Sequence, residues 1–142
     1  MKNLANYSLK DDIYNYLNAQ ASLTSMLDTN GLSWGQMPDT AVTKTRVDYR
    51  MLSDVRIGGS SFRNQRWRFW ICVPATKTTP KSKALNISNK MLDLLHEMRG
   101  EFGSIYIHFI ENDSNEDPFF DTSLNAWVVV QDYKLKMRTL QE

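Results

Sequence analysis

The alternation of apolar and polar residues in the middle of the chain predicts a long antiparallel hairpin. From residue 46 onward, one face would carry Val47, Tyr49, Met51, Val55 and Ile57, and the other Arg46, Asp48, Arg50, Asp54 and Arg56. Alternation with period two is typical of a half-buried strand. After the turn signal at residues 58–61 it resumes with Trp67, Phe69, Ile71 and Val73 against Arg66 and Arg68, and Pro74 ends it. Arms of about twelve residues would span roughly 40 Å, so we expect the hairpin to overhang its own domain.

Apolar residues at helical spacing predict two main helices. The first runs from about Leu9 to Ala19, opened by a capping-box-like Ser8 and Asp11, and residues 21–27 add a short second helix or a bent last turn. The clearest helix begins with Thr79 as N-cap and Pro80 at the first helical position, and we expect Gly100 near its C-terminal cap. Its apolar stripe is Ala84, Ile87, Met91, Leu94, Leu95 and Met98.

Two further strands complete the predicted sheet. Ile105, Ile107 and Phe109 alternate with Tyr106 and His108, and residues 124–137 form a fourth strand with Trp127, Val129, Tyr133, Leu135 and Met137 on one face. Residues 28–43 read as a loop that lies against the core. The predicted fold class is α+β: a single domain over residues 1–142, with a mostly antiparallel four-stranded sheet, long hairpins and two main helices packed on one side.

Composition narrows the class of protein. The chain has 142 residues, with 17 Lys and Arg against 16 Asp and Glu, which argues against a polyanion binder that works by bulk charge. One cysteine, Cys72, excludes an intrachain disulfide. No run approaches the roughly 18 apolar residues of a membrane span, and the N-terminal residues lack the apolar core of a signal peptide. We therefore expect no membrane association and synthesis inside the cell.

Candidate catalytic chemistry is sparse. His96 and His108 have no Cys, Asp or Glu at metal-ligand spacing, and Cys72 lies among apolar strand residues without an activating base. The pair Gly58-Gly59 precedes a strand, whereas a phosphate loop precedes a helix. We expect no enzymatic activity, no metal and no cofactor.

Charge is polarised along the chain. Residues 44–68 hold seven basic and two acidic residues, whereas residues 111–121 hold five acidic residues and no basic one. Two such segments can meet head to tail between copies, and a heterologous contact closes into a ring when its rotation allows. Solvated charge on an ordinary hairpin and loop is the alternative. The predicted subunit or partner interface comprises Arg46, Asp48, Arg50, Arg56, Arg66, Arg68, Trp70, Glu116, Asp117, Phe119, Phe120, Lys134 and Lys136.

Trp70 and the arginine-rich hairpin allow further interpretations. Trp70 lies on the arginine face beside Arg68, which is typical of an interface residue if that face is exposed, whereas helices on both sides of the sheet would bury it. Arginines interleaved with aromatic residues also occur in proteins that bind single-stranded nucleic acid. Because alternation places Trp67 and Phe69 opposite Arg66 and Arg68, we favour core packing for these rings.

The order of elements resembles the tail-terminator, or tail-completion, proteins of long-tailed bacteriophages. The resemblance rests on the N-terminal helix SLKDDIYNYLNAQASLTSMLD, the loop GLSWGQMPDT, the strand RWRFWICVPA and the helix KALNISNKMLDLLHEM. It covers about residues 8 to 137. It implies a small α+β virion protein without catalytic residues, made in the host cytoplasm and incorporated at the neck of the tail.

The resemblance also implies the partners. Members of that family form a hexameric ring, cap the last ring of the tail-tube protein and present the opposite face to the head-tail connector protein. DNA passes through the lumen without specific binding. A head-completion or connector protein of the neck is the nearest alternative function, and a nucleic-acid-binding module that uses the Arg66 and Arg68 hairpin is an alternative of another class.

Overall fold

All strands in the described part of the chain join one mixed sheet. The computed structural model describes residues 9–35, 38–58, 62–102 and 105–139. The helices are α1 (Leu9–Asn18), α2 (Ala21–Thr24) and α3 (Pro80–Leu95), and the strands are β1 (Leu32–Trp34), β2 (Arg46–Arg56), β3 (Phe62–Pro74), β4 (Gly100–Phe102), β5 (Ile105–Asn115), β6 (Phe119–Asp121) and β7 (Ala126–Thr139). The strand order is β1-β2-β3-β7-β5-β4, and β6 also pairs with β7.

The expected four-stranded sheet is wrong in its number of strands, because the sheet has seven. The four long strands β2, β3, β5 and β7 were predicted, whereas β1, β4 and β6 have three residues each. Three residues are too few to show a period of two, so these strands read as loop. β1 also lies parallel to β2, with Leu32 beside Val47, and the other pairings are antiparallel.

The helices α1 and α3 cover one face of this sheet, which we call the helix face. Ile13 and Leu17 from α1 and the α3 stripe pack there against strand residues that are almost fully buried. The strand residues of this core are Leu32, Val47, Tyr49, Trp67, Phe69, Ile71, Val73, Ile105, Ile107, Ile110, Val129, Tyr133, Leu135 and Met137. The predicted apolar faces of β3, α3 and the fourth strand are therefore confirmed, and the opposite side of the sheet, which we call the open face, carries no helix in the described part of the chain.

Two bulges change which residues reach the helix face. In β2 the register shifts between Met51 and Ser53, so that Val55 pairs with Asn64 on the open face. Val55 is 59% exposed, and its expected place on the apolar face with Tyr49 is wrong. A similar shift in β5 between Ile107 and Phe109 buries Ile110 in place of Phe109. A bulge inserts one unpaired residue into a strand. The side chains after it therefore point to the face opposite to the one that simple alternation predicts.

The ends of α3 differ in detail from the prediction. Thr79 is the N-cap residue and Pro80 the first helical residue, but the Thr79 hydroxyl donates to the Thr78 carbonyl and makes no capping hydrogen bond. The helix ends at Leu95, and Gly100 begins β4, so the expected role of Gly100 near the C-terminal cap is wrong. The predicted capping box at Ser8 and Asp11 depends on side chains outside the described residues.

The segment before β2 is held against the sheet. Thr45 N–H donates to the Asp28 carboxylate at 2.8 Å, and Lys77 Nζ lies 2.9 Å from the same Oδ2 atom. These interactions hold the pKa of Asp28 below its usual value. A Cβ atom at Gly31 would lie 2.8 Å from the carbonyl oxygens of Asp28 and Thr45, so only glycine fits at this crossing.

Candidate interface: the open face and the free edge of the sheet

The inner part of the open face is closed by loops. Val42 and Leu124 come from connecting segments and pack on strand residues of β3 and β7, and the Val42 N–H donates to the Leu124 carbonyl at 2.8 Å. The cluster consists of Val42, Trp70, Cys72, Leu124, Ala126 and Val128. It is a second, smaller core on the opposite side of the sheet from the helices.

Trp70 belongs to this second core and is only 7% exposed. The side chain of Arg50 covers its ring at 5.8 Å from the centroid. The expected exposure of Trp70 is therefore wrong, and so is the alternative that helices bury it. Loop residues such as Val42, distant in sequence, do so, and no local pattern signals that contact.

Cys72 is a fully buried thiol in the same cluster. Burial raises the pKa of Cys72 to about 12, with a smaller contribution from the charge of Asp48. At neutral pH the thiol is protonated and inaccessible, which is the state of a structural cysteine. Among the described residues there is no group of three or more potential metal ligands, and no helix is both long enough and apolar enough to cross a membrane.

Arg46 and Asp48 form a partly buried ion pair on the open face. The guanidinium donates to Asp48 Oδ1 from Nη2 at 2.6 Å and from Nε at 3.0 Å. The Asp48 residue is 0% exposed, and its second oxygen, Oδ2, has no hydrogen-bond partner. Burial therefore raises the pKa of Asp48, although the hydrogen bond and charge of Arg46 oppose the shift.

The predicted interface residues Arg66, Arg68 and Lys134 are engaged within the chain. Arg66 and Lys134 both bind Asp113, at 2.8 and 3.3 Å, and Arg68 binds both oxygens of Asp132, at 2.7 and 3.0 Å. Desolvation raises the pKa of Asp113, but the hydrogen bonds and charges of Lys134 and Arg66 outweigh it and leave the pKa below its usual value. Asp113 of β5 and Asp132 of β7 thus pair with two arginines of the hairpin inside one subunit.

Aromatic and basic side chains alternate at the outer end of the open face. The His108 ring lies between Tyr106 and Phe62, with centroids 5.0 and 5.1 Å away. Lys136 lies over the Phe62 ring at 5.3 Å, and Arg138 over Tyr106 at 5.0 Å. Burial, followed by the charges of Arg138 and Lys136, lowers the pKa of His108. The predicted interface residue Lys136 thus packs along its own sheet.

The outer half of β2 is a free strand edge. β1 pairs only with residues 47–49 of β2, and the Gly35 N–H donates to the Tyr49 carbonyl at 2.8 Å. No strand among the described residues pairs with this edge beyond Tyr49. We call residues 50–57 the outer edge. Its exposed apolar residues are Met51, Leu52, Val55 and Ile57, and its predicted interface residues Arg50 and Arg56 are exposed and form no intrachain ion pair with the described residues.

The segment from Glu116 to Phe120, which we call the acidic corner, lies between β5 and β7. The Glu116 N–H donates to the Val130 carbonyl at 3.2 Å, and β6 pairs Phe119 with Val128. Phe119 and Phe120 are 39% and 40% exposed, although Phe120 also packs edge-on against Trp127 at 5.7 Å. Glu116 and Asp117 are exposed and make no ion pair within the described part of the chain.

The structure therefore divides the predicted interface residues into two groups. Arg46, Asp48, Arg66, Arg68, Trp70, Lys134 and Lys136 already contact other residues of their own subunit. Arg50, Arg56, Glu116, Asp117, Phe119 and Phe120 keep exposed surface that a partner can contact, although Arg50 also lies over the Trp70 ring and Phe120 packs against Trp127. Sequence reasoning missed Met51, Leu52 and Val55, and the signal was present, because the apolar pair Met51-Leu52 followed by the polar pair Ser53-Asp54 breaks the alternation.

Comparison with known proteins identifies a shared fold. No protein-family model and no curated protein matches the sequence. Among the solved structures that match, a chain of the virion of a native gene transfer agent particle superposes with a TM-score of 0.68 and 10% sequence identity. The match covers 92% of this chain and 95% of that chain. The two chains therefore share one fold over nearly their whole lengths.

Proposed function

We propose that this protein is a structural component of a phage or phage-like virion, and specifically a ring-forming tail terminator. The observation that carries the proposal is the shared fold with a chain of a gene transfer agent virion over 92% of this chain. The element order and the four quoted segments support the finer assignment, because they resemble tail-terminator proteins. Two opposite exposed surfaces, one apolar and basic and one aromatic and acidic, support assembly through protein contacts.

The proposed mechanism is steric. Copies of the chain assemble into a ring, which resemblance to the family makes a hexamer, and the ring pairs with the exposed end of the tail tube. Its other face differs from the tube and gives further tube subunits no matching edge. Polymerisation stops there, and the outward face of the ring receives the head-tail connector, while DNA passes through the lumen.

The test is addition of the purified protein to tail-tube protein from the same particle during polymerisation. We expect tubes to stop growing and to carry labelled protein at one end only, as seen by electron microscopy. Tubes that grow to the same lengths with and without the protein, and carry no label, would contradict the terminator assignment. Binding to the portal or connector without binding to tubes would instead favour another neck protein.

The nucleic-acid alternative has less support from the geometry. It needs Arg66 and Arg68 to contact phosphates, but both guanidinium groups bind carboxylates of their own chain, Asp113 and Asp132. Releasing them would leave those carboxylates without their partners. A binding assay with single-stranded and double-stranded DNA across salt concentrations tests this alternative, since phosphate contacts make affinity fall steeply with salt.

A further inference from the structure

We propose that the outer edge of β2 binds the acidic corner of a second copy, so that successive copies join head to tail. The proposal rests on the proposed function, which supplies the expectation of a ring. It adds the two surfaces through which neighbouring subunits of that ring contact each other. Residues 50–57 supply one side of the contact and residues 116–120 supply the other.

The backbone of the outer edge needs a partner. Beyond Tyr49 no described strand pairs with β2 on this side, although the strand continues to Arg56. A free edge presents unpaired N–H and C=O groups, and proteins usually blunt such edges or pair them with another chain. The outer half carries a bulge at Leu52 and the charged residues Arg50, Asp54 and Arg56, but no described strand pairs with it on this side.

The side chains of the outer edge are unusually apolar for a solvent-facing strand. Met51 is 36% exposed, Leu52 37% and Val55 59%. Val55 also lines an open groove of about 380 Å³ on the open face, together with Ser53, Asn64, Arg66, Phe109 and Lys134. Met51 pairs with the helix-face residue Trp67 and Val55 with the open-face residue Asn64, so exposed apolar side chains border the free edge on both faces of the sheet. Exposed apolar side chains bordered by charged ones are typical of a protein contact. The exposed Phe119 and Phe120 of the acidic corner supply aromatic side chains for such a surface.

The charges favour this partner over others. Arg50 and Arg56 flank the apolar residues of the outer edge, whereas Glu116 and Asp117 precede the phenylalanine pair. None of these four side chains is engaged in an ion pair among the described residues. Complementary charges at the rim of an apolar contact fix its register and select the partner.

The same charges disfavour pairing of two outer edges about a twofold axis. Antiparallel pairing centred on Ser53 would set Arg50 of one copy opposite Arg56 of the other, and like charges directly opposite each other destabilise a sheet. The acidic corner and the outer edge of β2 lie towards opposite edges of the sheet, because β3 and β7 lie between β2 and β6. When the outer edge of one copy binds the acidic corner of the next, the pair still has one free outer edge and one free acidic corner. The contact can therefore repeat from copy to copy until a ring closes.

Cross-linking tests the contact directly. In a variant with both Val55→Cys and Phe119→Cys, we expect a short bismaleimide to give a ladder of covalent oligomers that ends at the ring size. The native thiol does not interfere, because Cys72 is fully buried and its pKa is raised to about 12. Val55→Cys paired with Leu85→Cys is the matched control, since Leu85 is 43% exposed on α3 and outside both surfaces, and we expect no ladder.

Other cross-linking results would overturn the proposal. Dimers from Val55→Cys alone would indicate twofold pairing of outer edges. An equal ladder from the Leu85 control would indicate random collision. Absence of a ladder from the Val55 and Phe119 pair, in wild-type-like oligomers verified by light scattering, would show that the ring closes elsewhere. A wild-type protein that remains monomeric at millimolar concentration would overturn the contact as a self-sufficient interface.

Charge exchange gives an independent test. We expect Arg56→Glu or Glu116→Arg alone to weaken association about tenfold, and the two together to restore it to within about threefold of wild type. Lys83→Glu on α3 is the control and should leave association unchanged. Failure of the double variant to recover would contradict the pairing.

The outcomes separate this contact from the proposed function. If the wild-type protein caps tubes but the cross-link and the exchange fail, the contact is wrong and the terminator function stands. If the ladder forms but tubes grow unchecked, the contact stands and the terminator function is wrong.

Discussion

The two halves of β2 have the same kind of sequence and opposite environments. In the inner half, Val47 and Tyr49 are 0% exposed in the core on the helix face. In the outer half, Met51 is 36% exposed and Val55 is 59% exposed. Apolar residues in the first half are buried in the core, whereas those in the second remain partly exposed, although Met51 pairs with Trp67. The difference teaches that alternation reports a strand but not whether its apolar face is covered by the same chain.

The largest expected effect is on stability in the inner half. Tyr49→Ala should lower the free energy of unfolding by about 3 to 5 kcal/mol, because it removes a buried ring that stacks on Phe69 at 5.1 Å. Urea denaturation of the monomer measures this. The matched change in the outer half, Val55→Ala, should alter stability by less than about 0.5 kcal/mol. Equal losses at the two positions would show that the outer half is covered in the monomer.

A smaller loss is expected when the basic hairpin is reversed. Arg66→Glu together with Arg68→Glu should lower the free energy of unfolding by about 1 to 2 kcal/mol, because two partly exposed ion pairs become repulsive contacts with Asp113 and Asp132. Assembly should also weaken, and part of that weakening comes from the altered subunit. Arg56→Glu serves as the control, with weaker assembly at nearly unchanged monomer stability. Normal monomer stability in the double variant would show that these arginines are not held by their intrachain partners.

A pH-dependent effect is expected from the buried carboxylate of the inner half. Burial raises the pKa of Asp48, so the folded state binds a proton more readily than the unfolded state, and the contribution of Asp48 to stability falls as pH rises through its folded-state pKa. Asp48→Asn removes this dependence. Denaturation of both proteins should be measured from about pH 3.5, near the ordinary pKa of Asp, to about pH 7. We expect the variant to gain stability relative to wild type as the pH rises. A constant difference across this range would contradict the assignment.

The smallest effect on stability, and the sharpest on assembly, is expected at the end of the outer half. Val55→Asp places a charge on a side chain that is 59% exposed, so the monomer should keep its stability to within about 0.5 kcal/mol. The same change places an acidic group opposite the acidic corner of the next copy and should abolish oligomers in light scattering. Unchanged oligomers would show that Val55 lies outside the contact.

The sequence was informative where periodicity is long and local. The apolar face of β7 and the stripe of α3 follow from periods that extend over many residues, and both are confirmed. The three-residue strands have no measurable period, so β1, β4 and β6 were missed. In the sequence, the only sign of the bulge at Leu52 is the pair of adjacent apolar residues Met51 and Leu52. Because the alternation was extended through this pair, Val55 was assigned to the wrong face.

The candidate site was less predictable than the fold, because its ion pairs connect distant parts of the chain. Arg66 binds Asp113, and Arg68 binds Asp132, each from a different strand. No local spacing signals such pairs. The segments of opposite charge were visible in the sequence, but which charges remain available to a partner depends on these contacts. Arg50 and Arg56 of the outer edge and Glu116 and Asp117 of the acidic corner form no ion pair with the described residues.

The most direct measurement of the central proposal is the tail length of particles assembled in the absence of this protein. If the chain terminates the tail, electron microscopy should show tubes that continue beyond the normal length and fail to join heads, and resupply of the protein should restore both length and joining. Tails of normal length joined to heads without it would contradict the terminator function.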